Sequence, residues 1–242
     1  MHYVTAKGIL SSKNGMNLYR GCSHGCIYCD SRSKCYHMNH DFEDIEVKEN
    51  AIGLLEYALK HKRKKCMIGT GSMTDPYIPL EMEIGNVRKA LELIYAYGFG
   101  FTVITKSNRF LRDLGIPTVV WLTPILPFIN DTEDNISGIL DMCMEAKVYG
   151  IICFGMGLTL REGNREYFYE QLDSLFPGLK EKYIRTYQNQ YVLDSPKNEN
   201  LMRLFCQKCS EGGIVCNNRQ IFQYLQTFEE RGSAAQLSLW EM

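Results

Sequence analysis

The sequence lacks the features that mark membrane-spanning, exported or low-complexity proteins. No apolar run approaches the roughly 18 residues that a membrane-spanning helix needs. The N-terminus MHYVTAKGIL has neither the basic start nor the apolar stretch of a signal peptide. No internal repeat occurs, and no linker rich in serine or proline interrupts the chain. We therefore expect a cytoplasmic protein with no membrane partner.

The sequence also lacks a charge excess of either sign. The 27 Lys and Arg residues nearly balance the 28 Asp and Glu residues, which leaves a formal net charge of −1. Such a chain offers no overall attraction to nucleic acid, so any binding of that kind requires a local patch. The densest basic run, KHKRKK at residues 60–65, is more typical of a solvated helix end than of such a patch.

The apolar pattern alternates between strand-like and helix-like segments. Helical spacing of Ala51, Leu55 and Leu59 predicts a helix between Val47 and Lys65, and a second helix is expected from Ile84 to Gly98. A third helix is predicted from the stripe formed by Ile136, Ile139, Leu140 and Cys143. The predicted strands are CMIGTG, FTVIT, TVVWLTPI and GIICFGMG. This alternation favours an α/β fold with a parallel sheet closed or curved by outer helices.

Each predicted strand is followed by an unusual polar or glycine-containing loop. These loops are GTGSMTDPY, TKSNR, LPFIND and GLTLREGN, and the cysteine-containing loop follows the short extended stretch MNLY. In a parallel barrel such loops share the carboxyl rim, where active sites are built. The sequence therefore predicts a functional site at that rim.

Cysteine is abundant, and three of the ten cysteines fall within the stretch RGCSHGCIYCD at residues 20–30. Cys22, Cys26 and Cys29 are separated by three and then by two residues. Thiolates are soft ligands that suit zinc or iron–sulfur centres, and a two-residue gap lets two sulfurs reach one metal centre. A structural zinc ion would need a fourth ligand, for which His24 and His37 are near enough.

The three-then-two spacing, with Tyr28 directly before Cys29, resembles the signature of the radical S-adenosylmethionine superfamily. The resemblance implies that Cys22, Cys26 and Cys29 hold three irons of a [4Fe-4S] cluster, and that S-adenosylmethionine binds the open fourth iron. In that superfamily, reductive cleavage of S-adenosylmethionine yields a 5'-deoxyadenosyl radical that abstracts hydrogen from the substrate. The implied fold is a partial (β/α)6-type TIM-like barrel.

Four segments are similar to the spore photoproduct lyase-like group, also called DNA repair photolyase-like proteins. These segments are NLYRGCSHGCIYCDSR, GSMTDPY, ITKSNRFLRD and PILPFIND. In that group the TD acid and the TKS lysine lie near the cosubstrate, which corresponds here to Thr74, Asp75 and Lys106. The remaining positions that we expect to bind the cosubstrate are Tyr28, Gly71, Ser72 and Ser107.

The chain departs from that group at two kinds of position. Ser72 stands where the lyase has its hydrogen-donating cysteine, and Asp30 stands where the lyase has a tyrosine. A serine O–H bond is too strong for convenient hydrogen-atom donation, so repair of the spore thymine dimer by that relay is not expected. Only a short segment joins Asp113 to Gly115, so the barrel is one βα unit short or a segment is missing there.

Two weaker signals lie in the C-terminal part of the chain. Cys206, Cys209 and Cys216 could bind a metal, but the helical spacing of the first two favours packing. Residues 236–240, from Gln236 to Trp240, resemble the motif by which bacterial repair proteins bind the sliding clamp. Docking of this end on the protein itself is the alternative. We expect residues 1–230 to form the barrel domain with its C-terminal helices, and residues 231–242 to form a tail.

These signals predict a radical S-adenosylmethionine enzyme, lyase-like, that acts in DNA repair or nucleic-acid modification. A reducing partner such as flavodoxin or ferredoxin is then required. Within the radical class, a modifier of a peptide or small metabolite is the alternative. Outside enzymes, the alternatives are an iron–sulfur electron carrier and a zinc-binding module.

Overall fold

A computed structural model describes residues 1–106 and 117–228 of the chain. It divides into two compact units. The described part of the first unit comprises residues 1–24, 41–106 and 223–228, and that of the second comprises residues 25–40 and 117–222. The division falls between His24 and Gly25, inside the cysteine loop.

The described residues of the first unit form two three-stranded sheets and three α-helices. Its strands are β1 His2–Val4, β2 Gly15–Met16, β3 Tyr19–Arg20, β4 Glu46–Lys48, β5 Met67–Thr70 and β6 Gly100–Val103. Its helices are α1 Ala51–His61, α2 Glu81–Ile84 and α3 Asn86–Ala96. One sheet has the order β2-β5-β6 and is parallel throughout. The other has the order β1-β4-β3, with β1 parallel and β3 antiparallel to β4.

The helices of the first unit form where apolar residues recur every three or four positions. Ala51, Leu55 and Leu59 are buried on one face of α1, which confirms the helix predicted between Val47 and Lys65. The expected helix from Ile84 to Gly98 is interrupted, because Gly85 adopts a left-handed conformation (φ +65°) that ends α2 before α3 begins.

The described residues of the second unit form two pairs of strands and five α-helices. The strands are β7 Val119–Trp121, β8 Gly150–Ile152, β9 Gly157–Thr159 and β10 Val192–Asp194. The helices are α4 Glu133–Glu145, α5 Asn164–Leu175, α6 Leu179–Tyr187, α7 Asn198–Glu211 and α8 Asn218–Gln226, the last of which ends in the first unit. Strands β7 and β8 are parallel, and β9 and β10 are antiparallel.

Two apolar clusters form the core of the second unit. In one cluster, Ile136 and Leu140 of α4 pack with Leu201 and Phe205 of α7. In the other, Phe168 and Leu172 of α5 pack with Tyr183 of α6 and Leu193 of β10; the remaining buried members are Leu126, Leu158, Leu160 and Tyr187. The apolar stripe predicted for α4 is therefore confirmed as a buried helix face.

The fold is mixed α/β, as the alternating pattern predicted. None of the four sheets in the described residues closes into a barrel, so a TIM-like barrel is not confirmed. The short segment from Asp113 to Gly115 lies outside the described residues. No helix within residues 1–106 and 117–228 combines the length and apolar character that crossing a bilayer requires.

Candidate functional site

The cysteine loop begins in the first unit, directly after β3. Gly21 has a left-handed backbone (φ +88°), and a Cβ added there would lie 2.5 Å from the carbonyl oxygen of Phe42. Only glycine permits this close approach, which lets the Cys22 amide donate a hydrogen bond to the same oxygen at 3.0 Å. The Cys22 side chain is buried and forms no disulfide.

The loop continues into the second unit. Gly25 is again left-handed (φ +69°), and the Cys29 amide donates to the carbonyl oxygen of Cys26 at 3.3 Å, which makes a tight turn between these two residues. Both are half-buried free thiols. Ile27 and Tyr28, which lie between them, pack against the cluster around Phe168. The local fold thus anchors the two apolar side chains of the turn.

The residues that follow Cys29 are fixed by a polar network in the second unit. The Asp30 carboxylate accepts hydrogen bonds from Tyr36 at 2.9 Å and Ser33 at 3.2 Å, and Arg161 Nε lies 3.6 Å away. The Arg161 guanidinium also donates to the Tyr191 hydroxyl at 2.9 Å. Burial, with the hydrogen bond to Asp30, raises the pKa of the Tyr36 hydroxyl. Asp30 therefore anchors the chain after the third cysteine.

The GSMTD segment follows β5 in the first unit. Gly71 has φ +100°, and a Cβ there would lie 1.9 Å from the carbonyl oxygen of Ile104, so this position requires glycine. Ser72 is exposed. Thr74 is only 5% exposed, and its hydroxyl has no hydrogen-bond partner among the described residues. A buried hydroxyl without a partner is costly, and a bound polar group would satisfy it.

The Asp75 carboxylate accepts hydrogen bonds from its own loop and from a sequence-distant segment of the first unit. Its carboxylate accepts hydrogen bonds from the Tyr77 amide, the Thr105 hydroxyl and the Lys106 amide, at 2.9, 2.9 and 2.8 Å. Nε2 of His24 lies 3.3 Å from the same carboxylate. The structure thus brings Asp75 and Lys106 together, while Ser107 lies outside the described residues.

Sequence reasoning missed Thr105 and the contact between Gly71 and Ile104. Thr105 directly precedes Lys106 in the ITKS segment, so its polar side chain at a strand end was an available signal. The close approach of Gly71 to Ile104 had no such signal, because it depends on the pairing of β5 with β6.

The C-terminal cysteines lie in and beside the core of the second unit. Cys209 is fully buried on α7, and burial, followed by neighbouring thiols, raises its pKa to about 12. Cys206 is exposed and Cys216 is half-buried. Within the described second unit, no three cysteine, histidine or carboxylate ligand atoms lie within 4.8 Å of one another. The burial of Cys209 agrees with the packing role that its helical spacing favoured.

The resident side chains suit the group that the cysteine spacing implies. Cys22, Cys26 and Cys29 form no disulfide, and cysteine thiols are the side chains that iron–sulfur centres use. The unsatisfied hydroxyl of Thr74 is a further polar group for a cosubstrate. The sequence resembling a clamp-binding motif, Gln236 to Trp240, lies outside the described residues.

Comparison with known proteins gives distant relatives. The chain is 24% identical over 228 positions to uncharacterized proteins of Mycobacterium bovis and Mycobacterium tuberculosis. Each match covers 72% of this chain and 66% of the relative, so the chain spans just under two thirds of the relatives' length. No protein-family model matches the chain, and no solved structure matches it at a significant level.

Proposed function

We propose that this protein is a radical S-adenosylmethionine enzyme whose [4Fe-4S] cluster is held by Cys22, Cys26 and Cys29. The observation that carries the proposal is the three-then-two spacing of these cysteines, with Tyr28 before the third. The absence of a disulfide at any of the three cysteines supports it. The left-handed glycines before Cys22 and before Cys26 allow the loop to turn tightly.

Different residues of the chain have different roles in binding the cluster and the cosubstrate. When bound, the cluster supplies the electron that cleaves S-adenosylmethionine into methionine and a hydrogen-abstracting radical. The Thr74 hydroxyl donates to, or accepts from, a polar group of the cosubstrate. The exposed ammonium of Lys106 pairs with a carboxylate. Gly71 lets the backbone after β5 run close to that after β6, which brings these two segments together.

The fold that accompanies this function is a partial barrel of the (β/α)6 type. The parallel order β2-β5-β6 in one unit and the parallel pair β7-β8 in the other support it, because such barrels are built from parallel strands. The proposed cosubstrate-binding segments follow β5 and β6 at their carboxyl ends, where barrel enzymes carry their sites.

The substrate that we propose is a nucleic-acid lesion or nucleobase. The similarity of four segments to the DNA repair photolyase-like group supports it, while Ser72 and Asp30 argue for a reaction other than that of the lyase itself. Ser72 offers no weak bond to hydrogen, and the Asp30 carboxylate is already engaged by Ser33 and Tyr36. Electrons come from a partner such as flavodoxin or ferredoxin.

Anaerobic reconstitution tests the cluster. We expect the wild-type chain to bind iron and sulfide with the Mössbauer spectrum of a [4Fe-4S] centre, and alanine at position 22, 26 or 29 to abolish most of that binding. Cys35→Ala is the matched control, because Cys35 is an exposed free thiol six residues beyond Cys29. A colourless protein with one zinc ion would instead identify a zinc-binding module.

Product analysis then separates the enzyme from an electron carrier. With dithionite and S-adenosylmethionine, the reconstituted protein should release 5'-deoxyadenosine. A cluster that gives no such product would indicate electron transfer only. Faster release with ultraviolet-irradiated DNA than with undamaged DNA would support a lesion as the substrate, whereas stimulation by peptides or small metabolites alone would favour the other members of the radical class.

A further inference from the structure

Asp75 occupies an unusual position, because one carboxylate connects three loops of the first unit. Its Oδ1 accepts hydrogen bonds from the Tyr77 amide and the Thr105 hydroxyl, both at 2.9 Å. Its Oδ2 accepts from the Lys106 amide at 2.8 Å and lies 3.3 Å from Nε2 of His24. The hydrogen-bond donors thus come from the loop of Asp75 itself and from the residues after β6, and the contact with His24 comes from the cysteine loop.

Three hydrogen bonds and the contact with His24 surround the carboxylate. An ionised carboxylate offers about four lone-pair directions, and three hydrogen bonds use them here, with Nε2 of His24 beside Oδ2. The Asp75 side chain is only 9% exposed, so solvent or a ligand has little access to it. Neighbouring Thr74 differs, since its buried hydroxyl has no partner among the described residues. Of the two residues in the TD step, Thr74 therefore has a hydroxyl without a partner among the described residues, whereas the Asp75 carboxylate already accepts three hydrogen bonds.

We infer that Asp75 is a positioning residue that holds the first part of the cysteine loop through His24, and that it is not a ligand of the cosubstrate. His24 lies two residues after Cys22, whose amide is fixed on the other side by the carbonyl oxygen of Phe42. The contact with Asp75 gives the loop a second attachment. The functional meaning of this attachment rests on the proposed function, because it orders a loop that carries a cluster ligand.

The attachment can be measured on the full chain before any iron is added. Cys22 is buried, so its alkylation by iodoacetamide requires the loop to open. We expect Asp75→Asn and His24→Ala each to speed alkylation of Cys22 by about tenfold, the order expected for losing a polar contact with a buried carboxylate. Asparagine at position 75 places an amide NH₂ group where Oδ2 of Asp75 now accepts from the Lys106 amide and contacts His24.

Two controls separate loop release from general destabilisation. Cys66 is a half-buried thiol of the same unit, and its alkylation rate should stay unchanged in both variants. Asp131→Asn neutralises another buried aspartate, which accepts a hydrogen bond from Ser195 in the second unit, and it should leave Cys22 protected. If Asp75→Asn does not fold, His24→Ala still tests the attachment, since His24 is partly exposed.

The double variant tests whether the two side chains act as a pair. Alkylation of Cys22 in His24→Ala/Asp75→Asn should be no faster than in the faster single variant. Independent, multiplicative effects would contradict the inference. It would also be overturned if Asp75→Asn left Cys22 protected but weakened S-adenosylmethionine binding to the reconstituted protein. The alkylation assay needs no cluster, so its result stands whether or not the proposed function is correct.

Discussion

Gly71 shows at the scale of one residue how backbone geometry shapes the candidate site. Alanine there would require a left-handed L-residue and place its Cβ 1.9 Å from a backbone oxygen of Ile104. We expect Gly71→Ala to lower the free energy of unfolding by at least about 2 kcal/mol, measured by urea titration. The matched control is Gly69→Ala, two residues earlier, where a Cβ meets nothing within 4 Å. Equal stability of the two variants would contradict the prediction.

Tyr187 gives the second unit a dependence on alkaline pH. Burial raises the pKa of Tyr187 to about 12, whereas an unfolded tyrosine titrates near 10. A raised folded pKa means that this stabilisation is complete below pH 10 and is lost as the pH rises towards 12. We expect the unfolding free energy to fall across this window with a slope of up to about 1.4 kcal/mol per pH unit from this group.

The Tyr187→Phe variant isolates that contribution. Phenylalanine has no titrating hydroxyl. The unfolding free energy of the Tyr187→Phe variant should therefore change less with pH between pH 10 and 12 than that of the wild type. The variant also loses the hydrogen bond to the carbonyl oxygen of Asp194, so its stability near neutral pH should be lower. If the unfolding free energies of the two proteins changed with pH in parallel, Tyr187 would have the same pKa in the folded and unfolded states, which would contradict the prediction.

At the scale of one element, α4 begins at a threonine N-cap. Thr132 has an extended backbone, and its hydroxyl accepts a hydrogen bond from the Asn135 amide at 3.2 Å. Thr132→Ala should cost about 1 kcal/mol of unfolding free energy, while Thr132→Ser should retain most of it. Thermal unfolding of the three proteins checks this, and a serine variant as unstable as the alanine variant would argue against capping.

The helices and strands also show which features the spacing of apolar residues predicted and which it did not. Helices α1 and α4 could be predicted because their buried stripes repeat at helical spacing, and that spacing is a property of the local sequence. The antiparallel pairing of β9 with β10 could not, because its partners are separated by α5 and α6. The break at Gly85 was also missed, since an isolated glycine inside an apolar pattern is often tolerated in a helix.

At the scale of the whole molecule, the charge balance limits binding to undamaged nucleic acid. Non-specific affinity for DNA comes from the neutralisation of phosphates by Lys and Arg. With a net charge of −1, the protein can neutralise few phosphates at once. We expect dissociation constants for random duplex DNA no tighter than about 1 µM at physiological salt, measured by fluorescence anisotropy. Replacing the exposed Arg63 and Lys64 by alanine should weaken this residual binding several-fold.

A clear contradiction would be tight, salt-sensitive binding of the protein to undamaged duplex DNA. Such a result would require a basic surface that the composition does not suggest. The Lys60→Ala variant would then test whether the basic run at 60–65 contributes to DNA binding. Lys60 lies in the last turn of α1, and residues 62–65 lie beyond it.

The sequence by itself determined the mixed α/β class, the helices with strong periodicity and the cysteine spacing on which the proposed chemistry depends. These are local properties, because thiol spacing and side-chain period are set within a few residues. Tertiary structure alone decided that Asp75 accepts hydrogen bonds from positions 77, 105 and 106 and lies beside His24, and that Thr74 is buried without a partner among the described residues. Hydrogen-bond partners distant in sequence are chosen by packing, which no local pattern encodes.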